Sequence, residues 1–151
     1  MGCLICDRID MIKKGTNPYF VTELETGYVV IGDHQHFKGY TLFLCKEHVT
    51  ELHFLPPELK LQHLKEMSLV GEAVYHVFGP EKLNIEALGN GASHLHWHLF
   101  PRVTGDTPTK GPVWTLPFEE LFSDANRPCK EELEGMKREL REEIERLLQI
   151  Q

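Results

Sequence analysis

Three histidines at alternate positions constrain this chain more than any other feature: His94-Leu95-His96-Trp97-His98, with Leu99 next. Side chains on a β-strand alternate between faces. If the run is extended, His94, His96 and His98 point one way, and Leu95, Trp97 and Leu99 point the other. The apolar set can enter a core while three imidazoles line a cleft. Such a strand needs a layer packed behind it, so the rest of the chain must supply one. Imidazoles in a cleft can bind phosphate oxygens, attack phosphorus, donate a proton or hold a metal. A cluster that only binds metal is the main competing reading at this point.

The remaining pattern supplies that layer. Residues 7–14 suit a short helix, closed by Gly15 and Asn17-Pro18. Tyr19 to Leu24, Gly27 to Gly32 and Tyr40 to Cys45 are rich in branched and aromatic residues and read as strands of an antiparallel meander. A long helix is expected from 56 to 79. Pro56 and Pro57 suit its start, Gly79-Pro80 stops it, and Leu59, Leu61, Leu64, Met67, Val70, Val74 and Phe78 recur near helical spacing. Leu83 to Leu88 and His94 to Val103 are the fourth and fifth strands, joined by the small-residue loop Gly89 to Ser93. Residues 104–117 read as loop. Lys130 to Ile150 reads as a charged helix whose Leu133, Met136, Leu140, Ile144 and Leu147 form one apolar stripe. The expected class is α+β: an antiparallel sheet of about five strands, one long crossover helix and a C-terminal helix, in one domain over 1–151.

Length and charge narrow the function. The 151 residues suffice for one domain with a core. A net charge of -7 argues against general nucleic-acid binding, which needs a basic footprint. It leaves room for a small phosphorylated ligand held by local donors. No apolar run reaches the ~20 residues of a membrane helix. The first residues lack a basic flank followed by an apolar stretch, so a cytoplasmic protein is expected. In that setting the Cys3-x-x-Cys6 pair suggests metal or redox chemistry before a disulfide.

His94-Leu95-His96-Trp97-His98-Leu99-Phe100-Pro101-Arg102 resembles the signature of the histidine-triad (HIT) family, in which three histidines alternate with apolar residues. Gly39 to His48 resembles the family's Gly-His-x-Leu-Val-Ile-Pro-Lys-x-His segment, and Cys3-x-x-Cys6 resembles its zinc-binding branch. The resemblance covers about residues 3–103; the loop and helical extension of 104–151 carries no matching motif. Tyr40 stands where the usual pattern has His, Cys45 where it has Pro, and Asn90 where many members have Gln.

The resemblance implies that His96 attacks the α-phosphorus of a nucleotide and that water resolves the nucleotidyl-histidine. It implies that His98 contacts phosphate and assists the leaving group. It also implies that Gly89 to Ser93, with Asn90, Gly91 and Ser93, binds phosphate, and that Asp33 meets the ribose. Cys3, Cys6, His48 and His94 would form a Cys₂His₂ set for structural zinc. The implied substrates are dinucleoside polyphosphates, such as diadenosine tetraphosphate with its magnesium, or nucleoside phosphoramidates. The implied assembly is a homodimer joining two sheets. A nucleotide-binding sensor with little turnover is the alternative. His34, His36, His53, His63 and His76 are left as surface or packing residues, with His36 the one expected nearest the cleft. Arg102 is read as a salt-bridged strand end.

Overall fold

The computed structural model describes residues 2–151. In chain order the elements are α1 (Leu4–Lys13), β1 (Phe20–Glu23), β2 (Gly27–Ile31), β3 (Thr41–Cys45), α2 (Pro57–Phe78), β4 (Lys82–Glu86), β5 (His96–Arg102), α3 (Phe118–Leu121) and α4 (Lys130–Gln149). The architecture is the expected α+β one. The sheet runs β1-β2-β3-β5-β4, with every neighbouring pair antiparallel. Helix α2 carries the chain from β3 to the far edge, and β5 returns between them.

One face of the sheet carries α2 and α4. Val29, Ile31, Phe43 and Leu99 pack there against Leu69, Val70, Ala73 and Val74 of α2. All five apolar positions expected of the C-terminal helix are buried in the same cluster. The opposite face carries α1, whose Ile5 and Ile9 cover Tyr28, Val30 and Leu44. Both faces of β2 are thus covered, which explains why Gly-Tyr-Val-Val-Ile is an unbroken buried run.

Helix α2 keeps most of its expected apolar stripe, with Val70 and Val74 buried and Met67 and Phe78 packed on the core, and departs from it at Leu61. Leu61 is 65% exposed, while His63 and Glu66 are buried. A hydrogen-bond chain offsets their burial. The Trp97 indole N–H donates to His63 Nε2 (3.0 Å). His63 Nδ1–H then donates to Thr26 Oγ1 (2.9 Å), whose hydroxyl donates to Glu66. Glu66 also accepts the backbone N–H groups of Glu25 and Thr26. Burial pushes His63 down to about 4, which keeps the neutral ring that this relay requires. The chain ties Trp97, on the back of β5, to α2 and so fixes the front of the same strand.

Three boundaries differ from expectation. Helix α1 starts at Leu4 rather than residue 7, because the Cys3 thiol caps it by accepting the Cys6 N–H (3.4 Å). Strand β4 ends at Glu86. Strand β5 begins at His96: the Leu95 carbonyl still accepts from Cys45 of β3, but its N–H turns to the Val49 carbonyl beyond that strand. The 104–129 segment is more than loop. Its Val113, Leu116 and Leu121 bury against Phe37 and Phe100. No helix among the described residues is long and apolar enough to cross a membrane.

Candidate active site and metal centre

The pairing register puts His96 beside Leu44 and His98 beside Leu42. Both imidazoles therefore stand on the α1 face. They line a cavity of about 260 Å³ together with Tyr40, Asp33, Arg8 and Phe122. A larger cavity, about 980 Å³, runs along β4 and the 104–112 segment and touches none of the imidazoles.

His96 is buried, and its Nδ1–H donates to the His94 carbonyl (2.7 Å). That bond places the proton on Nδ1 and leaves a lone pair on Nε2, which has no protein partner among the described residues. The His98 ring is 4.8 Å away, centre to centre. His98 Nδ1 lies 2.6 Å from the Tyr40 hydroxyl. Burial, with the neighbouring His96, pushes His98 down to about 4. Burial pushes the Tyr40 phenol up. The Tyr40 ring stacks on Phe100 at 4.2 Å. It lies over Gly32, where a Cβ would come within 2.2 Å of it.

His94, just before β5, does not line this cavity. Its Nδ1 lies 3.5 Å from Cys3 Sγ, 3.5 Å from Cys6 Sγ and 3.2 Å from His48 Nδ1. Cys6 Sγ is 3.3 Å from His48 Nδ1, and all four donor atoms lie within 4.8 Å of one another. A tetrahedral zinc with bonds of about 2.3 Å to sulfur and about 2.0–2.1 Å to nitrogen spaces its ligands roughly 3.3–3.8 Å apart. Four of the six donor pairs lie close to that spacing, at 3.2–3.5 Å. The tautomer fits too, because His94 Nε2–H donates to the Cys45 carbonyl (2.7 Å), leaving Nδ1 as the ligand atom. Burial pushes His94 down, and burial beside Cys3 pushes the Cys6 thiol up. These four residues can hold a metal ion.

The other expected residues are placed as follows. Asp33 lines the cavity, but its Oδ2 is held by Arg8 Nη2 (3.1 Å). In the 89–93 loop Ala92 lines the cavity, whereas Asn90, Gly91 and Ser93 flank it and are exposed. His36 bonds the Asp106 carbonyl (2.7 Å), away from the imidazoles. His34 lines the cavity instead and meets Phe122 edge-on at 5.5 Å. Arg102 forms a two-pronged pair with Asp106 (2.7 and 2.9 Å), as a strand-end salt bridge should.

Arg8, Phe122 and the bond from Tyr40 were not anticipated. Arg8 had a readable signal. With α1 starting at Leu4, Leu4 and Arg8 are four residues apart, on one face of the helix. Phe122 belongs to a segment without periodicity, and no local signal marks it.

A family model described as the HIT domain matches residues 17–105. The curated Protein hit of Bacillus subtilis (strain 168) is 30% identical over 82 residues, 51% of this chain and 56% of that protein. The match therefore spans little more than half the length of that relative. Among solved structures, a histidine triad protein from Bradyrhizobium japonicum is similar at a TM-score of 0.71 and 26% identity, over 83% of this chain and 89% of that one. A Zn-bound histidine triad family protein from Mycobacterium smegmatis has the same fold at a TM-score of 0.68 and 22% identity, over 100% and 99% of the two chains.

Proposed function

The chain belongs to the HIT domain family, and from that premise we propose that it is a nucleotide hydrolase acting through a nucleotidyl-His96 intermediate. The observation that carries this reading is the His96 tautomer. A binding module has no need of a ring whose Nδ1 proton is pinned to a carbonyl while Nε2 is left bare beside a cavity. That lone pair attacks the α-phosphorus, and the leaving group departs with the electron pair of the broken bond. Water then displaces His96 from phosphorus. Splitting one displacement into two easier ones is the advantage of the covalent route.

The neighbours support the same assignment. His98 can direct a donor at the phosphoryl oxygens, where positioned charge and hydrogen bonds contribute most. The exposed backbone around Asn90, Gly91 and Ser93 adds N–H groups beside Ala92. Asp33 has a second oxygen free for ribose hydroxyls. Cys3, Cys6, His48 and His94 are the ligands we assign to a structural zinc. Four protein ligands close a tetrahedral site, so the ion's contribution when bound is mechanical: it pins α1 to the catalytic strand.

The test is to trap the intermediate. Brief incubation with excess diadenosine tetraphosphate, quenching and peptide mass spectrometry should find one nucleotidyl group, on His96. A modification on any other residue would overturn the mechanism.

A second copy of this chain is the partner we propose. β4 is a sheet edge whose outer side is unpaired, and Ile85 and Leu88 nearby are 42% and 47% exposed. An antiparallel β4 from a second copy would cover that edge and make one continuous sheet. Light scattering should then give twice the chain mass; a monomer at micromolar concentration would reject this interface.

A further inference from the structure

Tyr40 decides which proton His98 can offer. Its hydroxyl has one partner within bonding reach among the described residues, His98 Nδ1 at 2.6 Å. The phenol ring is held on both sides: it stacks on Phe100, and Gly32 has no Cβ to displace it. The Tyr40 side chain is half-buried, and 2.6 Å is the length of a hydroxyl donor's bond, shorter than the ~2.7–3.2 Å of N–H donors, so the phenol gives its proton to Nδ1. Nδ1 then holds its lone pair toward the phenol, and the ring's own proton sits on Nε2. A second proton on Nδ1 would cost the Tyr40 hydroxyl its one protein acceptor among the described residues. It would also set an imidazolium 4.8 Å from the His96 ring. Asp33 and Glu86, the nearby carboxylates, act with burial to keep Tyr40 protonated. His98, pushed down to about 4, stays neutral with it.

We propose that Tyr40 makes His98 a fixed neutral hydrogen-bond donor rather than a proton-delivering acid, so that this site cleaves nucleoside phosphoanhydrides in preference to phosphoramidates. The proposal rests on the reading of His96 as nucleophile and names the substrate class of that site.

The chemistry follows from the leaving groups. In a dinucleoside polyphosphate the His96 Nε2–P bond forms, the bridging P–O bond breaks, and its electron pair stays on the departing nucleotide's phosphate. With a pKa of about 6, that phosphate leaves as an anion and takes up no proton. His98 Nε2–H stabilises the developing charge without transferring its hydrogen. Water then adds to phosphorus, the P–N bond to His96 breaks and its electron pair returns to Nε2; one proton of the water passes to solvent, and the other stays on the new phosphate hydroxyl until that group ionises, with a pKa of about 6. The balance is anhydride plus water giving two nucleotides. In a phosphoramidate the amine must be protonated as the P–N bond breaks, and a neutral imidazole is too weak an acid to do this.

The experiment uses the full-length, metal-loaded protein. kcat/KM is measured for diadenosine tetraphosphate and for adenosine 5′-phosphoramidate on the wild type, Tyr40→Phe and Tyr40→His. Wild type should favour the anhydride by about 100-fold or more, the low end of what a general acid is worth to the amine. Tyr40→His, which places a ring able to carry a proton against His98, should narrow that ratio at least tenfold. Nitrogen-15 NMR of the ligand-free protein reads His98 directly. It should show Nε2–H and no charge from pH 5.5 to 8, and a mixture of tautomers in Tyr40→Phe. A wild-type ratio near one, with nucleotidyl-His96 still trapped, overturns the proposal and leaves the nucleophile standing. An absence of turnover and of trapped intermediate for both substrates overturns the nucleophile reading instead. In that event the spectrum still decides His98: an Nδ1–H tautomer or an imidazolium at pH 7 refutes the role assigned to Tyr40.

Discussion

Alanine at position 96 is expected to lower turnover of dinucleoside polyphosphates by about 10⁴-fold or more, the scale seen when a covalent nucleophile is removed. No understudy is available. His94 Nδ1 lies among Cys3, Cys6 and His48, and its Nε2–H is committed to the Cys45 carbonyl. His98 Nδ1 is occupied by Tyr40. The variant should still fold. His96→Ala deletes one ring beside an existing cavity and one hydrogen bond to the His94 carbonyl, worth about 1 kcal/mol. Nucleotide affinity should change little, because attack, not ground-state contact, is what His96 contributes. Product formation followed chromatographically, with calorimetric binding of a non-hydrolysable dinucleotide, separates the two. Residual turnover above about 1% of wild type, far over that 10⁴-fold loss, would mean that His96 is not the nucleophile.

Much of this site was written in local pattern. The alternation through residues 94–98 anticipated a strand with catalytic rings in front and Trp97 and Leu99 behind, and His96 and His98 line a cavity while Leu99 is in the core. The heptad-like stripe of α4 was legible because each of its five positions is buried by the same neighbours. Helix α2 was read correctly at Val70 and Val74 and misread at Leu61, for a physical reason. Its inward face carries His63 and Glu66, and apolar periodicity cannot recognise polar residues whose burial is offset by partners on β5 and the β1–β2 turn. His94 lies outside β5, where its Nδ1 meets Cys3, Cys6 and His48 from distant parts of the chain, a long-range arrangement that a strand pattern does not record. Tyr40 was visible only as a departure from a motif. Its meaning is a distance to His98, 58 residues along the chain.

Cys6→Ser should show how much of the site depends on the metal centre. Metal content should fall from near one ion per chain to a small fraction, because two imidazoles and one thiolate hold zinc far less well than a closed Cys₂His₂ set. Loss of a structural metal site should cost about 3 kcal/mol or more. At roughly 2–4 °C per kcal/mol for a chain of this size, Tm should drop by about 6–12 °C. The reason lies in α1. Apart from the metal ligands, it is held to the sheet chiefly by Ile5 and Ile9, and it carries Leu4 and Arg8 into the cavity wall. Releasing Cys6 should therefore also raise KM, while nucleotidyl transfer to His96 continues on β5. Cys129→Ser is the control. Cys129 is exposed at the start of α4, where its thiol caps the helix by accepting the Glu132 N–H, and serine is a good residue for that position. It should keep its metal and its Tm. A strong chelator should lower the wild-type Tm to that of Cys6→Ser and leave that variant unchanged. Equal metal content and equal Tm in wild type and Cys6→Ser would rule out the metal centre, and with it the reason why the first histidine of the run stays out of the cavity that the other two line.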